Sequence, residues 1–475
     1  MRSWWVVCLL LWVWLRAQEL PYHSGRFLFE LRPGYTLENL PQELRELQEY
    51  LQVVRLGERF PGLKMSSPVY VVEYRASLSP LHAAKLWARS PAVLYAEPEY
   101  IPTILEGPER LTYTPNDPLL NQCHSLTHLN VLAAWDSTQG DTNYVWAVVD
   151  TDVRFDHPDL VDNIAYNWAD PINGTDDDGD GYVDNFHGWD FIGATQGSPP
   201  DNDPRTNPTG HGTWVAGFGG ATVDNNEGVA GPAFKCRLLP IKVAPDNAPA
   251  LYAAYDGVLY AAQKGAKVIN ASWGSPYYSQ AAENFVRTIT DSYDALIVGA
   301  AGNIPPNQGT KFYPAMYDGV LSVTAIKNTD DTWPGTVQAY YGIDVCATGW
   351  GTTTHGLNGY GAYAYATSFA APQASGCAIL LRSWRPDLNA RQIAELLRIT
   401  GDSIDQFNPL LQYQLGRRIN LYRAIITRDT PACRIQSWQV HDYNDSLFFA
   451  GETLFIVPTY INYLSPVQNL TIKLI

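Results

Sequence analysis

The spacing of apolar and polar residues changes three times along the chain. From Arg26 to Arg32 they alternate, as in a strand with one buried face, and Pro41 to Leu51 then takes helical spacing rich in Glu, Leu and Gln. Pro68 to Arg75 (Pro-Val-Tyr-Val-Val-Glu-Tyr-Arg) is a β-branched and aromatic run. Leu78 to Arg89 returns to helical spacing, and Ala92 to Tyr95 is a last short strand. These elements predict a small α+β domain over residues 25–103. A domain of that size buries little core for its surface and is marginal alone. Residues 104–116 are polar and rich in turn formers, and read as a linker.

From Asp117 to Arg428 the pattern is different. Tyr144 to Val149, Leu238 to Val243, Lys267 to Ala271, Ala295 to Ala300 and Val320 to Ala325 are short, almost unbroken apolar runs. Helical stretches such as Leu251 to Lys264 and Gln280 to Thr290 lie between them. Strands buried on both faces and alternating with helices predict an α/β fold with a mostly parallel sheet. Sites in such sheets gather at the carboxyl ends of the strands, and there Asp150 ends one run and Asn303 follows another. Beyond Asp429 the pattern turns all-β, with short strands over Leu447 to Ala450, Thr453 to Ile461 and Leu470 to Ile475. Residues 429–475 are too few to close a sandwich, so the expectation is the start of a β-rich C-terminal domain, cut short.

Composition and charge narrow the class. Met1-Arg2-Ser3 is a short basic start, Trp4 to Leu15 is an apolar stretch too short to span a membrane comfortably, and Leu15-Arg16-Ala17 offers cleavage after Ala17. Residues 1–17 therefore read as a signal peptide, and the product as secreted or held at the cell surface, with no stable membrane insertion. Thirty-two basic against 48 acidic residues give a net charge of −16, which argues against nucleic acid and anionic membranes as partners. With 46% hydrophobic residues, 37 Gly and 33 Pro, the chain is globular and loop-rich. Beyond Cys8, the cysteines Cys123, Cys236, Cys346, Cys377 and Cys433 are scattered, with no C-x-x-C. That spacing indicates neither a zinc site nor a dense disulfide scaffold, and leaves at least one thiol unpaired.

Four stretches carry candidate chemistry. Ala364 to Pro372 (Ala-Tyr-Ala-Thr-Ser-Phe-Ala-Ala-Pro) runs into an apolar segment, placing Ser368 at the start of a buried helix, where free N–H groups favour negative charge. Pro372 is expected in or just after the first turn, where a missing N–H costs little. Val145 to Val153 is a buried strand that delivers Asp150, and Gly210 to Gly217 sets His211 between glycines at a helix start. Ile297 to Asn303 is a strand running into an asparagine. Singly, each has an ordinary reading as helix cap, structural histidine or turn residue. Jointly they supply what acyl transfer needs. A serine hydroxyl needs an imidazole to take its proton, and a carboxylate to hold that imidazole's tautomer. An amide can then donate to the oxyanion.

In the order Asp, His, Asn, Ser, with His-Gly-Thr-x-Val-Ala-Gly starting at His211 and Thr-Ser-x-Ala-x-Pro around Ser368, residues 25–428 resemble the subtilisin family of serine peptidases. The resemblance implies Asp150, His211 and Ser368 as a triad and Asn303 as oxyanion donor. It implies that Ser272, Trp273 and Gly274 pair with the substrate backbone and wall its pocket, with Ala300, Ala301 and Gly302 as the other wall. Residues 25–103 then correspond to a pro-domain that assists folding and blocks the cleft as an intramolecular inhibitor, until processing within residues 100–114. Three positions depart from the family pattern. Asp152 and Ala366 stand where glycine is usual, and Trp214 stands where histidine is frequent. Asp152 is expected either to disturb the Asp–His pair or to face solvent or a cation.

Asp176-Asp177-Asp178-Gly179-Asp180-Gly181-Tyr182-Val183-Asp184 resembles a calcium loop, with Asp176, Asp178, Asp180 and Asp184 as ligands. His187 occupies the twelfth position, where an EF-hand has Glu, so the loop is not an EF-hand. A solvated acidic loop is the alternative. No His-Glu pair exists for a zinc protease helix, Asn270 breaks a G-x-S-x-G elbow at Ser272, and no G-x-x-x-x-G-K loop occurs. The sequence thus predicts a secreted, calcium-stabilised serine endopeptidase acting on proteins or peptides and made as a zymogen. The alternative is a non-catalytic surface or binding protein that keeps the scaffold.

Overall fold

The computed structural model describes residues 22–63, 66–100, 113–206, 210–246, 248–304, 310–332, 340–364, 366–441 and 455–466. The expected signal peptide, most of the linker, and the strands expected at Leu447 to Ala450 and Leu470 to Ile475 lie outside the described residues. The chain forms two compact units, Met1–Arg110 and Leu111–Ile475.

The first unit contains β1 (Tyr22–Leu31), α1 (Gln42–Leu51), β2 (Val53–Glu58), β3 (Val69–Tyr74), α2 (Pro80–Trp87) and β4 (Val93–Tyr100). Its antiparallel sheet has the order β2-β3-β1-β4. The alternation in β1 points Phe27, Phe29 and Leu31 to one face, where they meet Trp87 of α2 and Leu44 of α1. Ser79 caps α2 by accepting the His82 N–H, and Pro80 occupies its first position.

The second unit begins with two short helices, α3 (His124–His128) and α4 (Val131–Trp135). It is then built on β5 (Val145–Asp150), β6 (Trp189–Asp190), α5 (His211–Gly220), β7 (Arg237–Lys242), α6 (Ala254–Gln263), β8 (Val268–Ala271), α7 (Gln280–Ser292), β9 (Leu296–Ala300), β10 (Val320–Ile326) and β11 (Val345–Thr348). A hairpin, β12 (Gly351–His355) and β13 (Gly359–Tyr363), precedes the long helix α8 (Thr367–Trp384). After it come α9 (Ala390–Thr400), β14 (Arg417–Arg418), α10 (Leu421–Ile426), and the pair β15 (Cys433–His441) and β16 (Phe455–Asn462).

Eight parallel strands in the order β14-β11-β10-β9-β8-β5-β7-β6 form one sheet. The chain leaves β5 towards β7 and β6 and leaves β8 towards β9, so the order reverses between β5 and β8. Ligand crevices in open parallel sheets form at that reversal, outside the carboxyl ends of the strands. The helix α8 is buried along almost its whole length, as its lack of a polar face requires. It crosses α5 at glycines: a Cβ on Gly376 would lie 2.4 Å from the Gly219 carbonyl oxygen. The hairpin β12–β13 lies on α5, with Thr353 and Thr354 hydroxyls donating to the Trp214 and Thr213 carbonyls at 2.7 Å each. Arg434 ties β15 to this unit through Asp344, at 2.6 Å, and Glu395. The five described cysteines are all free. Among the described residues no helix is long and apolar enough to cross a membrane.

Candidate active site

Asp150 is the last residue of β5, in the middle of the sheet, and its side chain is buried. His211 is the first residue of α5, and its Nδ1 lies 2.9 Å and 3.1 Å from the two Asp150 carboxylate oxygens. Burial pushes the imidazole pKa down, but the charge and hydrogen bond of Asp150, with Asp152 behind, outweigh it and the net shift is upward. The arrangement therefore holds Nδ1–H on the carboxylate and leaves Nε2 to accept a proton.

Ser368 is the second residue of α8 and is half-buried. Pro372 sits at the start of the second turn, just after the first as expected, inside the helix. Having no N–H, Pro372 leaves the Ser368 carbonyl without its helical partner. The Ser272 hydroxyl fills the gap by donating to that carbonyl at 2.9 Å, while Ser368 Oγ donates to the Ser272 carbonyl at 3.1 Å. Asn270 Nδ2 donates to Ser272 Oγ at 2.9 Å, and Ser375 Oγ to Asn270 Oδ1 at 3.0 Å. The end of β8 and the first turns of α8 are thus pinned together. In this arrangement Ser368 Oγ bonds to Ser272 rather than to His211, so its attack requires a rotation about one side-chain bond.

Asn303 lies three residues beyond β9 and is exposed. Its Oδ1 accepts from Thr367 N at 2.8 Å and Thr367 Oγ1 at 3.1 Å, and Gly302 N donates to Thr367 Oγ1 at 3.1 Å. With the carbonyl end pinned beside Ser368, the Asn303 amide N–H groups are left to donate elsewhere. Gly302 has φ +107, and a Cβ there would strike the Phe312 ring at 2.8 Å, so the turn needs glycine. Ala366 precedes α8 at φ −132, ψ 136, a conformation alanine adopts freely, so its departure from glycine costs nothing.

The expected pocket walls follow neighbouring strands. Ser272, Trp273 and Gly274 continue β8, and the Trp273 indole N–H donates to the Val149 carbonyl at 2.8 Å. Ala300 ends β9, but the Ala300 and Ala301 side chains are buried in the core, leaving only backbone to face a ligand. Trp214 stacks on Tyr363 with centroids 4.4 Å apart, and its ring edge approaches His211 at 6.1 Å. Asp152 does not face solvent; it is fully buried, Thr213 Oγ1 donates to it at 2.6 Å, and among the described residues no basic side chain forms an ion pair with it.

The acidic loop is arranged differently from the expected ligand set. Among the described residues, the carboxylates that converge within 4.8 Å are Asp170, Asp176 and Asp178. Asp184 instead caps a turn, accepting from Asn173 N at 2.8 Å and Gly174 N at 2.9 Å, and Asp180 pairs with Lys264. Sequence reading missed Asp170, which stands six residues before the acidic run and is fully buried. It also missed a second group, Asp117 and Asp159, both buried and without an ion pair among the described residues. Asn225 donates to Asp159 at 3.0 Å and Val229 N at 2.8 Å. Burial, with Asp117 and Glu227 nearby, nevertheless pushes Asp159 up to about 8. Residues 42 positions apart in the sequence gave no local signal for that group.

The sequence model of the subtilase family, peptidase S8, matches residues 141–416. The chain is 32% identical over 347 residues to a thermophilic serine proteinase of Bacillus sp. (strain AK1), covering 71% of this chain and 73% of the relative. It is 29% identical over 321 residues to thermitase of Thermoactinomyces vulgaris, covering 66% of this chain and 99% of that protein. A solved protease structure from Pseudoalteromonas arctica PAMC 21717 superposes with a TM-score of 0.54 at 27% identity, over 66% of this chain and 99% of the other. With its parallel sheet and its Asp, His and Ser on β5, α5 and α8, the chain belongs to the subtilase family and is a serine-type endopeptidase.

Proposed function

We propose that this endopeptidase hydrolyses peptide bonds through Asp150, His211 and Ser368, with Asn303 as oxyanion donor. Ser368 Oγ attacks the carbonyl as His211 Nε2 takes its proton. Asp150 holds the ring through Nδ1 and stabilises the imidazolium that forms. The Asn303 amide and the first N–H groups of α8 donate to the oxyanion, and His211 returns the proton to the leaving nitrogen. Water then repeats the sequence on the acyl-enzyme. The observation that carries the reading is the 2.9 Å Asp150–His211 contact, beside an Asn303 amide anchored on the residue before Ser368. Substrate backbone would pair along Ser272 to Gly274 and along Ala300 to Gly302.

The reading extends to a secreted zymogen. The first unit would act as an inhibitory pro-domain removed by the enzyme itself, and residues 1–17 as its export signal. Calcium fits two acidic groups. Asp170, Asp176 and Asp178 offer hard carboxylate oxygens, and Asp117 and Asp159 are buried acids with no ion pair among the described residues. The ion would neutralise those charges and favour the folded state, since only that state assembles the ligands. Expressing the full chain and its Ser368→Ala variant tests the scheme. The wild type should shed its first unit and cleave peptides, and the variant should do neither. Cleavage by the variant would defeat the assignment.

A further inference from the structure

Gly210, the cap residue of α5, has no side chain to bond the free N–H groups of the helix that starts at His211. The Thr151 hydroxyl takes that place by accepting the Gly212 N–H, and a carboxylate stands behind it. Asp152, two residues beyond Asp150, turns its carboxylate under the helix start, so close that a Cβ on Gly210 would lie 2.5 Å from Asp152 Oδ1. Thr213 Oγ1 donates to Asp152 Oδ2 at 2.6 Å, and Thr151 Oγ1 donates to Oδ1 at 3.1 Å. Thr151 Oγ1 also accepts the Gly212 N–H at 3.2 Å, and Thr213 Oγ1 accepts the Arg154 N–H at 2.9 Å. A closed ring of hydrogen bonds thus joins the segment after β5, which carries Asp150, to the first turn of α5, which carries His211.

We infer that Asp152 is a positioning residue for the peptidase reaction: it holds the Thr151 and Thr213 hydroxyls against the first turn of the helix of His211, fixes that helix to the strand end of Asp150, and places a second carboxylate behind the imidazole. The inference rests on the triad reading above. The groups facing Asp152 are few. From β5 comes Asp150; from α5 come His211, Thr213 and Gly210. Arg154, on the same loop, turns away to pair with Asp156 at 2.9 Å. His211 is therefore the basic group that Asp152 can sense among these neighbours. Burial and the neighbouring Asp150 charge push the Asp152 carboxyl pKa up overall, and the Thr213, Gly210 and Thr151 donors offset part of that rise by holding the anion. An anion at a helix start is also favoured by the free N–H groups there.

The test is the pH dependence of kcat and kcat/KM for wild type, Asp152→Asn, Thr213→Val and Thr213→Ser, with Ser368→Ala as control. Asparagine keeps an oxygen for Thr213 but carries no charge. Losing the charge disfavours the imidazolium, so the acid limb of Asp152→Asn should move to lower pH by about half a unit, a roughly threefold change in proton affinity. Its kcat should fall about tenfold with KM little changed, because the geometry between Asp150 and His211 loosens. Thr213→Val should lose kcat similarly and Thr213→Ser should recover it. If Asp152→Asn does not fold, the Thr213 pair decides alone. An acid limb that stays in place in Asp152→Asn, with kcat within about twofold of wild type, overturns the inference even if the melting temperature falls. So does a fully active Thr213→Val. If Ser368→Ala stays active, the triad reading itself fails, which is a separate result.

Discussion

Replacing Gly376 by alanine should separate the two helices that carry His211 and Ser368. Gly376 and Gly219 face each other where α8 crosses α5, about two turns in from each functional residue. The added Cβ would lie 2.4 Å from the Gly219 carbonyl oxygen, 3.0 Å from Ala233 N and 3.1 Å from Pro232 Cβ, whereas ordinary contact begins at 3.4 Å. Two of those three neighbours are backbone, so no side chain can swing aside for the first clash. The helices must part by about 1 Å, the difference between 3.4 and 2.4 Å. Overpacking of this kind costs about 1–3 kcal/mol of stability. A displacement of that size between nucleophile and base costs about a hundredfold in rate. Steady-state kinetics on a chromogenic peptide, beside thermal melts, would separate the two effects. We expect kcat to fall by a factor of about 10 to 100, with KM nearly constant because the proposed pocket walls follow β8 and β9 rather than the two helices. A melting temperature that drops while kcat stays within about twofold of wild type would show that the crossing does not set the Ser–His geometry.

Four further outcomes follow from the same structure. Asn303→Leu should lower kcat by about 10²–10³ through loss of one oxyanion donor, and should also lower the melt because the buried Thr367 N–H and hydroxyl lose their acceptor; a loss of kcat under about fivefold contradicts the role. Because His211 is held above its usual 6.5, kcat/KM should half-fall above pH 6.5 as the ring gains the proton that prevents it from acting as base; a half-fall below 6.5 in the pH profile would contradict this. Ser272→Ala leaves the Ser368 carbonyl unpaired and should cost about 1–3 kcal/mol by denaturant melts. Adding Pro372→Ala, which restores an N–H, should recover part of that loss. In chelator, Asp159 keeps its proton up to about 8 when folded but sheds it near 3.8 when unfolded, so stability should fall as pH rises through that window. Melts with added calcium should reverse the fall, and a calcium-independent melt at pH 8 would count against a bound ion.

Much of the sheet was legible because β5, β7, β8, β9 and β10 lie in almost unbroken apolar runs, as burial on both faces requires. The hairpin β12–β13 was not, since its Gly-Thr-Thr-Thr-His strand is polar and takes its place from hydrogen bonds to α5. Pro372 was placed just after the first turn, but the sequence could not show that Ser272 compensates the missing bond. Asp150, His211 and Ser368 stood out through their motifs. What pattern could not show was the direction of a carboxylate. Asp152 turned inward to a threonine, and Asp184 turned to cap a turn. Asp117 and Asp159 met across the fold, with Asn225 contributed by a later loop.

The most direct test of the account is to treat the processed protein with a serine-reactive phosphonate and map the adduct by peptide mass spectrometry. One adduct is expected, on Ser368, formed rapidly by wild type and not by His211→Ala or Asp150→Asn, whose serine lacks an activated base. A folded wild type that takes no label, or takes it on another residue, would contradict the triad and return the non-catalytic binding protein to first place.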